Sequence, residues 1–159
     1  MKILGIDPGT ATTGYGIVEK KGSEVTCIHF GCVETPYGVD QAIRLHILRK
    51  ELLVILEKYT PTLAGVEQLF FVKNMKTALS VAEARGVILE TLHSKRVKII
   101  ECTPLQVKQA VTGYGKADKI QVQKMVKILL RLTDIPKPDD AADALAVAMY
   151  CANNSNFNS

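Results

Sequence analysis

The chain has 159 residues, enough for one domain with a sizeable core and too few for two large ones. Apolar residues make up 47% and charged residues 23%, which excludes disordered and fibrous classes and leaves an ordinary globular composition. With 20 Lys and Arg against 16 Asp and Glu, the formal net charge is +4, compatible with a nucleic-acid partner without requiring one.

KILGI at 2–6 is a short apolar run that ends at the turn residues DPGT, the pattern of a buried strand. Residues 14–20 and 25–34 are rich in β-formers, and KKGSE between them is a turn, so the opening reads as a three-stranded meander. Residues 39–58 carry Ile43, Ile47, Leu48, Leu52, Ile55 and Leu56 at helical spacing. TLAGVE at 62–67 is a second buried strand, and 74–94 a long helix. That helix has one apolar stripe of Met75, Leu79, Ala82, Gly86 and Leu89, and another of Ala78, Val81, Ile88 and Leu92. Two apolar sides mean either a central buried helix or one shared with a partner. VKII at 97–100 is a further strand, and Thr103-Pro104 opens a short helix as N-cap and first residue. A glycine loop spans 112–118, a basic amphipathic helix 118–132 and a last helix 140–151. Strand–helix–strand crossovers imply parallel pairing, so the expected architecture is an α/β fold, a mixed five-stranded sheet with helices on both faces. One domain is expected over 1–152, with a polar, frayed tail at 153–159.

Cys27, Cys32, Cys102 and Cys151 form no Cys-x-x-Cys pair and have no His at zinc-finger spacing, so they are read as reduced packing residues of a cytoplasmic protein. Asp7 interrupts the opening apolar run before a secretory signal can form, and no run approaches the ~20 residues needed to span a bilayer. His29, His46 and His93 do not cluster and are assigned no chemistry.

Acids recur where strands end. Asp7 closes the first strand, Glu67 closes the fourth, and Asp140 and Asp143 share one face at the start of the last helix. Carboxylates crowded at one rim of a sheet repel one another, and a divalent cation relieves the repulsion. Mg²⁺ takes oxygen ligands, and two such ions grip the attacking and leaving oxygens of a phosphodiester, so two Mg²⁺ per site are expected, with Mn²⁺ as a substitute. Each acid also has a plainer explanation: an Asx-type turn for Asp7, an N-cap or dipole partner for Asp140, a surface position for Glu67. Asp143 lies within the apolar stretch AADALAVAM, where a charge must be paired, with a cation or a Lys.

Four collinear blocks carry a family resemblance. GIDPGTATTGYGIV (5–18), GVEQLFFVKNMKTALSVAEARGVIL (65–89), QVKQAVTGYGKADKIQVQKMV (106–126) and DDAADALAVA (139–148) resemble the RuvC Holliday junction resolvases and together cover nearly half the chain. The resemblance implies a ribonuclease H-like fold. It also implies a metal-dependent endonuclease with Asp7, Glu67, Asp140 and Asp143 as catalytic and metal-binding acids. The implied substrate is four-way junction DNA, nicked symmetrically by a homodimer that works with the RuvA and RuvB branch-migration proteins. A symmetric junction independently calls for two sites related by two-fold symmetry, and the helix at 74–94 is the interface candidate.

Phe70 and Phe71 follow the acid-bearing strand, beside Lys73 and Lys76, and an exposed ring there suits stacking on an unpaired base. The resemblance assigns that role to Phe70; Phe71 is expected to enter the core. Lys108, Lys116, Lys119, Lys124 and Lys127 fall within about one 20-residue stretch. Lys116 and Lys119 flank a glycine loop at a helix start, where backbone N–H groups attract phosphate. Lys108 and Lys119 match family positions near the active site, whereas Lys124 and Lys127 read as a solvated face. Two rival readings stand beside the nuclease. One is an actin-like nucleotide-binding domain suggested by DPGT, for which the chain is short. The other is a DNA-binding module without catalysis.

Overall fold

A computed structural model describes residues 1–69 and 75–155, with the side chains of Met75 and Lys76 outside that description. Strands β1 (Lys2–Asp7), β2 (Thr12–Lys21) and β3 (Glu24–Glu34) lead to α1 (Gln41–Tyr59), β4 (Leu63–Glu67) and α2 (Met75–Ser94). Then come β5 (Lys98–Cys102), α3 (Pro104–Thr112), α4 (Lys119–Leu129) and α5 (Asp139–Asn154). The sheet order is β3-β2-β1-β4-β5. The meander pairs are antiparallel, and β1–β4 and β4–β5 are parallel, as the crossovers predict.

Alternation along the strands divides the core in two. Leu4 and Ile6 of β1, with Ala64 and Val66 of β4, face Leu48 and Leu52 of α1 and Ile88 and Leu92 of α2. Ile3 and Leu63 face the opposite layer, where Val107 of α3, Val122 of α4 and the buried length of α5 pack. Each fully buried Leu, Ile or Val among them contributes roughly 1.5–3 kcal/mol of transfer free energy. Asp7 and Glu67 share the phase of Ile3 and Leu63, so both turn toward the α3–α4–α5 layer.

The close seat of α5 depends on small residues on both sides. Ala141, Ala142, Ala144, Ala146 and Ala148 are all buried. A Cβ on Gly5 would run into the main-chain carbonyl of Ala144, and one on Gly14 into that of Asp140. Glycine is required at both positions for a helix to lie so near the strands.

The short helix α3 begins as predicted, with Thr103 accepting from the Gln106 N–H and Pro104 in the first turn. Asp118 and Gln121 form the corresponding box on α4. Helix α5 has Pro138 at its N-cap without a side-chain cap, so Asp140 is a first-turn acid and not the cap. The same helix runs to Asn154, past the start of the expected tail at 153; residues 156–159 lie outside the described residues. Helix α2 divides its two stripes: Ile88 and Leu92 are buried, while Leu79, Ala82 and Gly86 are exposed. No helix among the described residues is long and apolar enough to cross a membrane.

Candidate active site

Ile6 pairs with Val66 in the parallel β1–β4 ladder, so the next residues, Asp7 and Glu67, stand side by side where the two strands end. The seat of α5 then brings Asp143 to the same place. Asp7, Glu67 and Asp143 line one cavity of about 330 Å³ together with Lys108 of α3 and Lys119 of α4. Asp140 lies one turn back along α5, in the wall of a neighbouring cleft, and its charge still reaches Asp7. The four predicted acids therefore converge from three elements. Asp139, which adjoins Asp140 in sequence, lines neither opening; its carboxylate pairs with Lys137 at 3.1 Å and with the cavity's Lys119 at 3.6 Å.

Electrostatics single out the pair at the strand ends. Burial, then the charges of Glu67, Asp143 and Asp140, push the Asp7 carboxyl up to about 8. Burial and Asp143 push Glu67 up to about 7, against the opposing charge of Lys108. Burial also raises Asp143, opposed by Lys119, whose ammonium stands 3.1 Å from its carboxylate. Among the described residues no hydrogen bond acts on the Asp7 carboxyl, so an Asx turn does not explain it. The turn after β1 is held by Thr13, whose hydroxyl donates to the Gly9 carbonyl at 2.7 Å.

The donors are all carboxylate oxygens, and their mutual repulsion is only partly offset by Lys108 and Lys119. This chemistry suits a hard divalent cation. Among the described residues, no three acidic, histidine or cysteine side chains are drawn together as a finished ligand group. Lys119 instead supplies positive charge among the acids.

Lys116 is exposed on the loop before α4 and outside the cavity wall. Lys124 is exposed and Lys127 partly so, consistent with a solvated face. Phe70, Phe71 and Lys73 lie outside the described residues, as does the side chain of Lys76. One neighbour of the site escaped the sequence reading. Arg85 of α2 donates from Nε to the Glu67 carbonyl at 3.3 Å and pairs through Nη2 with Glu101 of β5. It ties the ends of β4 and β5 to α2. Its position between Ala84 and Gly86, within a mostly apolar helix, was the available signal.

Residues 3–151 match the family described as crossover junction endodeoxyribonuclease RuvC. The chain belongs to the RuvC family. It is 57% identical to the RuvC protein of Caldicellulosiruptor saccharolyticus over 94% of this chain and 90% of that one. It is 52% identical to the RuvC protein of Caldanaerobacter subterraneus subsp. tengcongensis over 98% and 94% of the two. Its coordinates resemble those of T. thermophilus RuvC in complex with Holliday junction substrate, with TM-score 0.93, 33% identity and coverage of 99% and 96%. The yeast mitochondrial Holliday junction resolvase Ydc2 shares the fold alone, with TM-score 0.70, 16% identity and coverage of 98% and 80%. The expected ribonuclease H-like architecture is thus the one observed, and the chain is a nuclease by family. Membership removes the actin-like alternative.

Proposed function

We propose that this chain resolves four-way DNA junctions by metal-dependent hydrolysis of one phosphodiester per subunit, acting as a homodimer. The carrying observation is the cavity in which Asp7, Glu67 and Asp143 face Lys108 and Lys119. Asp7, Glu67, Asp140 and Asp143 are the residues that would hold Mg²⁺, two ions per site, with Mn²⁺ able to replace it. Mg²⁺ held there would supply positive charge for hydrolysis of the phosphodiester.

The chain's own groups do the rest. Glu67 and Asp7, fixed side by side by the β1–β4 register, set the reacting end of the cavity. Lys119, paired with Asp143 at 3.1 Å, would be free to hold a substrate phosphate were that carboxylate to hold a cation. Lys108, in the same cavity lining, adds a second cation for the strand, and Lys116 extends the basic surface outside the cavity. Phe70 and Lys73 are assigned to the junction centre on the family resemblance. The exposed Leu79–Ala82–Gly86 face of α2 is the proposed dimer surface, which sets two sites apart on one junction. RuvA and RuvB are the proposed partners, and the cytoplasm the proposed setting.

The test is incubation of the protein with a labelled immobile four-way junction and Mg²⁺, with the cuts mapped on all four strands. Paired nicks at symmetry-related positions are expected, and chelation should abolish them. Tight binding without nicks would reduce the protein to a DNA-binding module.

A further inference from the structure

A second cleft, of about 710 Å³, opens on the other layer of the sheet. Its wall includes Thr10 of the β1–β2 turn, Tyr37, Arg44 of α1, Thr77 and Ser80 of α2, and Asp140. Asp140 lines this cleft together with Gly9 and Thr10, which follow Asp7 closely in the chain, so the cleft opens beside the acid cluster. The two openings therefore flank the reacting centre, one toward α3 and α4, the other toward α1 and α2.

Among the described residues that line this cleft, Arg44 is the cation. Its Nε donates to the Thr35 hydroxyl at 2.9 Å, and the Thr35 hydroxyl donates to the Thr10 carbonyl at 2.7 Å, so the guanidinium is tied to the turn that leads away from Asp7. Its Cζ lies 5.8 Å from the centroid of the exposed Tyr37 ring. Its Nη2 is buried without a hydrogen-bond partner, and among the described residues no carboxylate pairs with it. A buried guanidinium nitrogen left unpaired is costly, and a guanidinium remains charged at every accessible pH. Thr10 and Ser80, whose hydroxyls meet at 2.7 Å, line the same wall with groups suited to phosphate oxygens.

We infer that Arg44 binds a backbone phosphate of the DNA strand on the far side of the scissile position from Lys108 and Lys119. The inference rests on the nuclease reading above and adds a second grip on the same strand. A strand held by cations on both sides of the acid cluster is fixed in register before the acids act on it. Arg44 is thus a positioning residue for cleavage as well as a binding residue.

The test uses the Asp7→Asn background, so that DNA is bound and not cut, and measures junction affinity against salt. Arg44→Gln is expected to lower the magnitude of the salt slope by about 0.9, the value for one phosphate contact. It should weaken binding roughly tenfold, the scale of one charge-assisted hydrogen bond. Arg44→Lys, which keeps the charge, should retain the slope. Junctions carrying a single neutral methylphosphonate, moved one position at a time, should show one site near the cut where neutralisation weakens the parent and leaves Arg44→Gln unaffected. If Arg44→Gln does not fold, the same scan on Arg44→Lys should show a smaller loss at that site than the parent does. An unchanged slope, or neutralisation costs that add independently at every position, overturns the inference; so does a phosphate that only competes as a free ion. Failure of the unmutated chain to bind and nick the junction sinks both readings, whereas nicking with equal slopes sinks only this one.

Discussion

At the scale of single residues, Asp7 is a compromised charge. It is buried beside Glu67, Asp143 and Asp140, and its carboxyl is pushed up to about 8. Asp7→Asn removes a donor for the cation and also one of the repelling charges. Junction nicking should fall on the order of 10²–10³-fold, the scale for losing one preorganised electrostatic group. Junction binding should persist, and without divalent cation the melting temperature should rise by a few degrees, since each kcal/mol is worth roughly 2–4 °C in a chain of this size. Thermal melts with and without chelator check the second half. A lower melting temperature for Asp7→Asn would mean that Asp7 holds the turn together and is not a crowded ligand. Lys119 is the complementary residue: 3.1 Å from Asp143, it is an internal counter-ion among the acids.

At the scale of elements, the site is made by where α5 sits. Asp140 and Asp143 lie far along the chain from Asp7, and they meet it because Gly5 and Gly14 leave room for the helix backbone. Gly14→Ala would place a methyl group against the Asp140 carbonyl and lift the first turn of α5. The expected cost is about 1–3 kcal/mol, the range for overpacking a well-filled contact. Nicking should drop more than junction binding, because the displaced turn carries the acids and not the lysines of α3 and α4. Denaturant unfolding together with a nicking assay measures both; a variant of parental stability and rate would show that the helix seat has slack. Helix α2 illustrates the same logic at the other layer. One face is committed to Ile88 and Leu92 in the core, the opposite face stays open, and Arg85 links the helix to the carbonyl of Glu67.

At the scale of the whole molecule, the acid cluster couples stability to pH. Folding raises Asp7 from 3.8 to about 8 and Glu67 from 4.5 to about 7. Between those values the folded chain holds protons that the unfolded chain has released, so stability falls as pH rises through that window. This is opposite in sign to an ion-paired carboxylate, whose contribution is lost on acidification. The melting temperature in chelator should therefore decline from mildly acidic to mildly alkaline pH, and added Mg²⁺ should flatten the decline by stabilising the charged acids. A flat profile in chelator would contradict the crowding described here. The same three-layer plan leaves a second opening between α1, α2 and the β1–β2 turn, so substrate contacts are available on both sides of the sheet rim.

Local pattern alone determines a good deal of this protein. The short apolar runs ending at Asp7 and Glu67, the crossovers, and the Thr103-Pro104 helix start are properties of neighbouring residues, and the alternation along a strand sets which face each acid takes. The four collinear blocks carry the family. What local pattern does not contain is the distance between elements. That distance depends on how closely α5 settles on Gly5 and Gly14, and it decides that Asp143 joins Asp7 and Glu67 in the cavity while Asp140 stands at its edge. Arg44 shows the boundary well. It occupies the same helical phase as Leu48 and Leu52, a cation on an apolar stripe, yet only the packing of α1 against the β1–β2 turn and α2 gives that cation a cleft to serve. Periodicity assigns a side chain to a face; the company it keeps there is decided by packing between segments far apart in the chain.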